Sequence, residues 1–103
     1  MNRIERINDM LQTSPSDSFL QHALALEFVK LGDEQEAKRL LQKLLMENEN
    51  YVGSYYQLAK LHERANEIDD AIKVYEKGMA KAKAAGEQHA YNELRSAYEE
   101  VIN

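Results

Sequence analysis

The stretch Leu24-Ala25-Leu26-Glu27-Phe28-Val29-Lys30-Leu31-Gly32-Asp33-Glu34-Gln35-Glu36-Ala37 returns thirty-four residues later as Leu58-Ala59-Lys60-Leu61-His62-Glu63-Arg64-Ala65-Asn66-Glu67-Ile68-Asp69-Asp70-Ala71. Leu falls on Leu, Ala on Ala, and the turn Gly32-Asp33-Glu34 on Asn66-Glu67-Ile68. Further along, Leu41 falls on Tyr75 and Leu45 on Met79. A fixed period of this length marks a stacked repeat, in which one helical hairpin cannot bury its apolar faces alone.

Ser16 or Asp17 after Pro15 is a helix start, and Leu20, Leu24, Phe28 and Leu31 recur at helical spacing. Gly32 stops that helix in the left-handed cap conformation. Asp33 caps the next, whose stripe Ala37, Leu40, Leu41, Leu44, Leu45 runs to about Met46. The second hairpin repeats the plan over 51–65 and 68–84, with Asn66 in the place of the stopping glycine. A final helix at about 88–102 is apolar on one side only, as a terminal cap requires.

Shifted back once, the period also covers the beginning: Ile7 matches Leu41 and Leu11 matches Leu45. Residues 1–15 then hold the second helix of a hairpin whose first helix is missing. The expected organisation of 1–103 is therefore this half-unit, complete units at 16–50 and 51–85, and a closing helix in 86–103. That makes six helices and an all-α chain.

Ala25, Ala37, Ala59 and Ala71 sit where the two helices of a hairpin cross closely, with larger neighbours filling the remaining space. Leu94 corresponds to Leu24, which puts Arg95 in the Ala25 place. An arginine there is acceptable only because no seventh helix follows.

Composition narrows the function. The 103 residues contain no cysteine, one proline and four glycines. Disulfides, thiolate metal sites and cysteine nucleophiles are thereby excluded, and a reducing compartment is consistent. The N-terminus carries no cleavage signal and no apolar run is long enough for a bilayer, so a cytoplasmic location is expected. A net charge of −5 argues against nucleic acid and anionic membrane as partners. No phosphate loop, nucleophile elbow or paired catalytic carboxylate is present. The three histidines lack the spacing of a helical metal site, so no metal and no cofactor is expected.

These residues resemble the tetratricopeptide repeat family. The first unit reads Leu24-Ala25, Phe28, Gly32-Asp33, Glu36-Ala37; the second reads Tyr55, Leu58-Ala59, Asp69-Asp70-Ala71-Ile72, Tyr75. Gln21, His62 and Gly78 depart from the family pattern, which normally has aromatics at the first two places and Ala at the third. The resemblance implies a right-handed α-solenoid of antiparallel helix hairpins whose first helices line a concave groove. Its members usually bind peptides or proteins there, as adaptors rather than catalysts.

By that alignment the groove positions are Phe19, His22, Leu26 and Val29 from the first hairpin, Tyr56, Gln57, Lys60 and Arg64 from the second, and His89 and Asn92 from the closing helix. Phe19, Leu26 and Val29 lie outside the core stripe of their helix. They form either an apolar shelf for a partner's side chain or a face covered by the leading half-unit or a second copy of the chain. Lys60 and Arg64, four apart on one helical face, are placed to hold a carboxylate; the alternative is ordinary solvated charge offset by Glu63. Chaperone-binding members of the family clamp a C-terminal carboxylate with Lys, Asn and Arg. His22, Leu26 and Gln57 in the corresponding places do not support that specialised activity. Self-association into a homo-oligomer is the alternative function.

Overall fold

The computed structural model describes residues 2–103, and among these the secondary structure is entirely helical. The six helices are α1 (Arg3–Thr13), α2 (Ser18–Lys30), α3 (Glu34–Glu47), α4 (Gly53–Arg64), α5 (Ile68–Ala85) and α6 (Gln88–Ile102). They fall into two compact units, Met1–Asn48 and Glu49–Asn103.

Within the first unit, α1 and α3 both pack on α2. The helix starts follow the capping residues of the sequence. Asn2, Asp17 and Asp33 each accept a hydrogen bond from the backbone N–H three residues on, satisfying a donor that the helix itself leaves orphaned. Gly32, at φ 82°, closes α2 as expected. Ala25 and Ala37, on the packed pair α2 and α3, are fully buried, as are Leu41 and Leu44. Gln21, one of the three departures from the family pattern, is a tie: its Nε2 donates to the Pro15 carbonyl at 2.8 Å and to Glu47 at 3.2 Å.

Leu31 corrects the expected stripe. It is 68% exposed, because as the C-cap residue of α2 its side chain projects past the last turn over which the helix has a neighbour.

The second unit repeats the plan. Ala59 and Ala71 are fully buried between α4 and α5, and α6 packs against α5. Asn66 takes the left-handed conformation at φ 62°, the same cap that Gly32 supplies in the first unit. Gly86, at φ 72°, closes α5. The approach to α4 is pinned by Glu49, whose carboxylate meets Lys81 at 3.1 Å and Lys77 at 3.4 Å. Those lysines, Lys81 foremost, hold the Glu49 carboxyl below its usual range. The Tyr55 hydroxyl adds a 2.6 Å hydrogen bond to the Glu49 carbonyl.

Gly78, another of the departures from the family pattern, sits at a close helix approach. A Cβ built there would lie 2.7 Å from Tyr55 Cβ and 3.1 Å from a Leu94 methyl. The missing methyl is what lets α5 sit between Tyr55 of α4 and Leu94 of α6. Leu94 and Ala97 form the buried side of α6, while Arg95 points outward and pairs with Glu99 at 3.6 Å. Ile102, at the free end of the helix, is half exposed.

Candidate partner-binding site

The predicted site residues divide between the two units, and each face is built separately. On α2, Phe19, His22 and Leu26 recur at three- and four-residue spacing, so they project from one side of the helix. They line a shallow cavity together with Ala23, Glu27, Lys30 and, from α1, Arg3. Arg3 Nε and Lys30 Nζ each reach the same Glu27 oxygen at 3.0 Å. The hydrogen bond from Lys30, and then that from Arg3, draws the Glu27 carboxyl below its usual range. Two cations thus share one carboxylate, which leaves the rim with a net positive charge over an apolar floor beside a half-buried imidazole. Burial lowers the His22 pKa, because a charged ring there would lose hydration.

The apolar positions of α2 differ in exposure. Leu26 and Val29 are half-buried, whereas Phe19 remains 70% exposed. Val29 does not join the walls of the cavity that gathers Phe19, His22 and Leu26.

On α4, Tyr56, Gln57 and Lys60 are half-buried and Arg64 is exposed. Lys60 Nζ stands 5.6 Å from the centre of the Tyr56 ring and 3.5 Å from Glu63. That position combines cation–aromatic and ionic attraction on a single ammonium. Glu63 also accepts a hydrogen bond from the Tyr75 hydroxyl on α5. Burial, followed by that bond to Glu63, pushes the Tyr75 phenol far above its usual range. Lys60 is therefore paired with Glu63 beside the Tyr56 ring, and its side chain is only partly exposed. Sequence reasoning placed Glu63 beside Lys60 but missed Tyr75, which occupies a core column and whose polar tip carries no periodic signal.

On α6, His89 and Asn92 are exposed, and Asn92 Oδ1 accepts from Gln88 Nε2 at 2.8 Å. Among the described residues no helix is long and apolar enough to cross a membrane.

Comparison with known proteins agrees with this architecture. The family profile for the tetratricopeptide repeat matches residues 28–98, more than half of the chain. The solution structure of a tetratricopeptide repeat domain protein from Salinibacter ruber is 38% identical, with a TM-score of 0.81 over 84% of this chain and 88% of that one. A TPR repeat-containing protein of Pseudomonas aeruginosa is 25% identical over 91 residues, covering 88% of this chain and 87% of its own length. The TPR2B domain of yeast Sti1, solved in complex with pHsp70, shares the fold at a TM-score of 0.87 and 18% identity, over 96% of this chain and 79% of that one.

The helices, the thirty-four-residue period and the matched profile together define an all-α helical repeat of the protein-interaction class. The chain belongs to the tetratricopeptide repeat family.

Proposed function

We propose that this chain is an adaptor in which the first helix of each hairpin, α2 and α4, presents a face to a segment of another protein. The observation that carries this reading is the ammonium of Lys60, which stands over Tyr56 and beside Glu63 on the half-buried face of α4. A preorganised cation beside an aromatic ring favours an acidic or C-terminal carboxylate group on the partner, since little side-chain entropy remains to be lost on binding. Arg64 adds positive charge one helical turn on, Gln57 adds an amide, and His89 and Asn92 extend the candidate set onto α6. On α2, the Phe19–His22–Leu26 shelf is suited to an apolar anchor, with Val29 beside it. Binding rather than catalysis is the activity in this reading, which assigns no catalytic residue and no cofactor. A cytoplasmic setting is proposed with it, from the cysteine-free composition.

The test is a chemical-shift titration with a partner peptide obtained by pull-down and peptide mapping. Shifts at Tyr56, Lys60 and Arg64, and a loss of affinity on Lys60→Glu, are the expected results. Unchanged affinity in Lys60→Glu would count against the α4 face.

One further observation favours a second reading. Phe19, a large side chain exposed beside an apolar cavity, also suits association with a second copy of the chain. Sedimentation velocity across a concentration series separates the two. A concentration-independent monomer removes self-assembly and leaves the adaptor.

A further inference from the structure

Across the turn from α4 to α5, ligand atoms of His62, Glu67 and Asp70 lie within 4.8 Å of one another. The same columns of the first hairpin hold Phe28, Asp33 and Glu36, and there both carboxylates have structural work. Asp33 caps α3 through the Glu36 N–H, and Glu36 takes Arg39 through both of its oxygens, at 2.7 and 2.6 Å. The second hairpin departs from that pattern at each place. The imidazole of His62 replaces the phenyl ring and is only 6% exposed. Glu67, at the N-cap of α5, makes no side-chain cap bond; its carboxylate instead meets His62 Nδ1 at 2.8 Å. The exposed Asp70 carboxylate enters no side-chain hydrogen bond or ion pair with another described residue.

Acids in the first turn of a helix are ordinarily partners of its dipole. What sets this trio apart is a buried imidazole nitrogen aimed at two carboxylates that have given up the roles their counterparts keep. We propose that His62 Nδ1, Glu67 and Asp70 bind a divalent transition-metal ion of the zinc type, as one nitrogen and two oxygen ligands. Two carboxylates and a neutral imidazole balance a doubly charged ion. Zinc takes such ligands at about 2.0–2.2 Å, so atoms already this close converge by rotation of the two acidic side chains while the packed imidazole stays fixed. Three protein ligands leave a coordination position for water or for a group on a partner.

An ionised carboxylate only accepts, so the contact to Glu67 places the imidazole proton on Nδ1. Coordination at Nδ1 moves that proton to Nε2. The ligands come from two helices and the turn between them, which is why no single-helix spacing revealed them.

The experiment uses the full chain, freed of metal by chelation and titrated with zinc chloride in a calorimeter. One ion per chain is expected, with the His62 ring switching to the Nε2–H tautomer in nitrogen-detected NMR. His62→Phe restores the residue of the first hairpin, and Asp70→Asn alters an exposed side chain, so both variants should fold. Each is expected to weaken zinc binding by about tenfold or more, while His22→Gln and His89→Gln leave it unchanged. Absence of binding, or binding that survives both His62→Phe and Asp70→Asn, would overturn the assignment and leave His62–Glu67 as a hydrogen bond only.

Discussion

The Tyr75 hydroxyl donates to the Glu63 carboxylate, and through it the fully buried ring of α5 fixes the charge that holds Lys60 on α4. Core and candidate binding face are thereby one network. Tyr75→Phe keeps the ring and removes the donor, so it is expected to cost about 1.5–3 kcal/mol, the range for a hydrogen bond to a charged group. Denaturant unfolding with an unchanged m-value checks it.

The same contact governs alkaline stability. Tyr75 is raised in the folded state, so its contribution is complete below the unfolded value of about 10 and is lost as pH climbs above it. Among the six tyrosines, Tyr75 should ionise last in an absorbance titration, together with unfolding. In Tyr75→Phe that final step disappears.

Gly78 is expected to reject even a methyl group. Alanine gains about 1 kcal/mol of helix propensity over glycine. The 2.7 Å approach to Tyr55 Cβ is a side-chain root rather than a flexible tip, so it opposes that gain with about 1–3 kcal/mol of overpacking. Gly78→Ala should therefore destabilise or at best break even, and Gly53→Ala, with nothing within 4 Å of the new atom, should not destabilise. Thermal melts of the two variants side by side provide the comparison.

The fold was legible where spacing alone carries the information. Ala37 and Ala71, fully buried one period apart, and the left-handed caps at Gly32 and Asn66 follow from positions that can be counted along the chain. Leu31 misled because a periodic stripe does not register that a helix has run past its neighbour. The site was less legible, for a related reason. Phe19 and Lys60 could be placed on helical faces, but the neutralisation of Glu27 by Arg3 and Lys30, and the bond from Tyr75 to Glu63, join residues whose separation follows no period. The substitution of Gly78 for the family alanine was visible in the sequence, yet only the position of Tyr55 beside it supplies the reason.

Asn66 carries a cost that its counterpart avoids. A left-handed backbone suits glycine, so Asn66→Gly should stabilise the chain, by up to about 1 kcal/mol after the entropy that glycine regains on unfolding. The reverse change, Gly32→Asn, should destabilise by a similar amount. Paired melting curves test both signs.

His22 should impart a mild acid sensitivity. Its folded pKa is lowered by burial, so the unfolded chain takes up the proton first. The stability tied to the neutral ring is present above the unfolded value of about 6.5 and is lost as pH falls through the folded one. Melting temperatures of wild type and His22→Gln should therefore run parallel above that pH and diverge below it, with the wild type falling faster.

The most direct test of the binding account places a photo-crosslinking side chain at Tyr56 on the α4 face and, separately, at exposed Lys73 on α5. The account predicts that a partner protein is captured from Tyr56 and not from Lys73, and that Lys60→Glu abolishes the capture. Capture from Lys73 with none from Tyr56, or capture indifferent to Lys60→Glu, would contradict it.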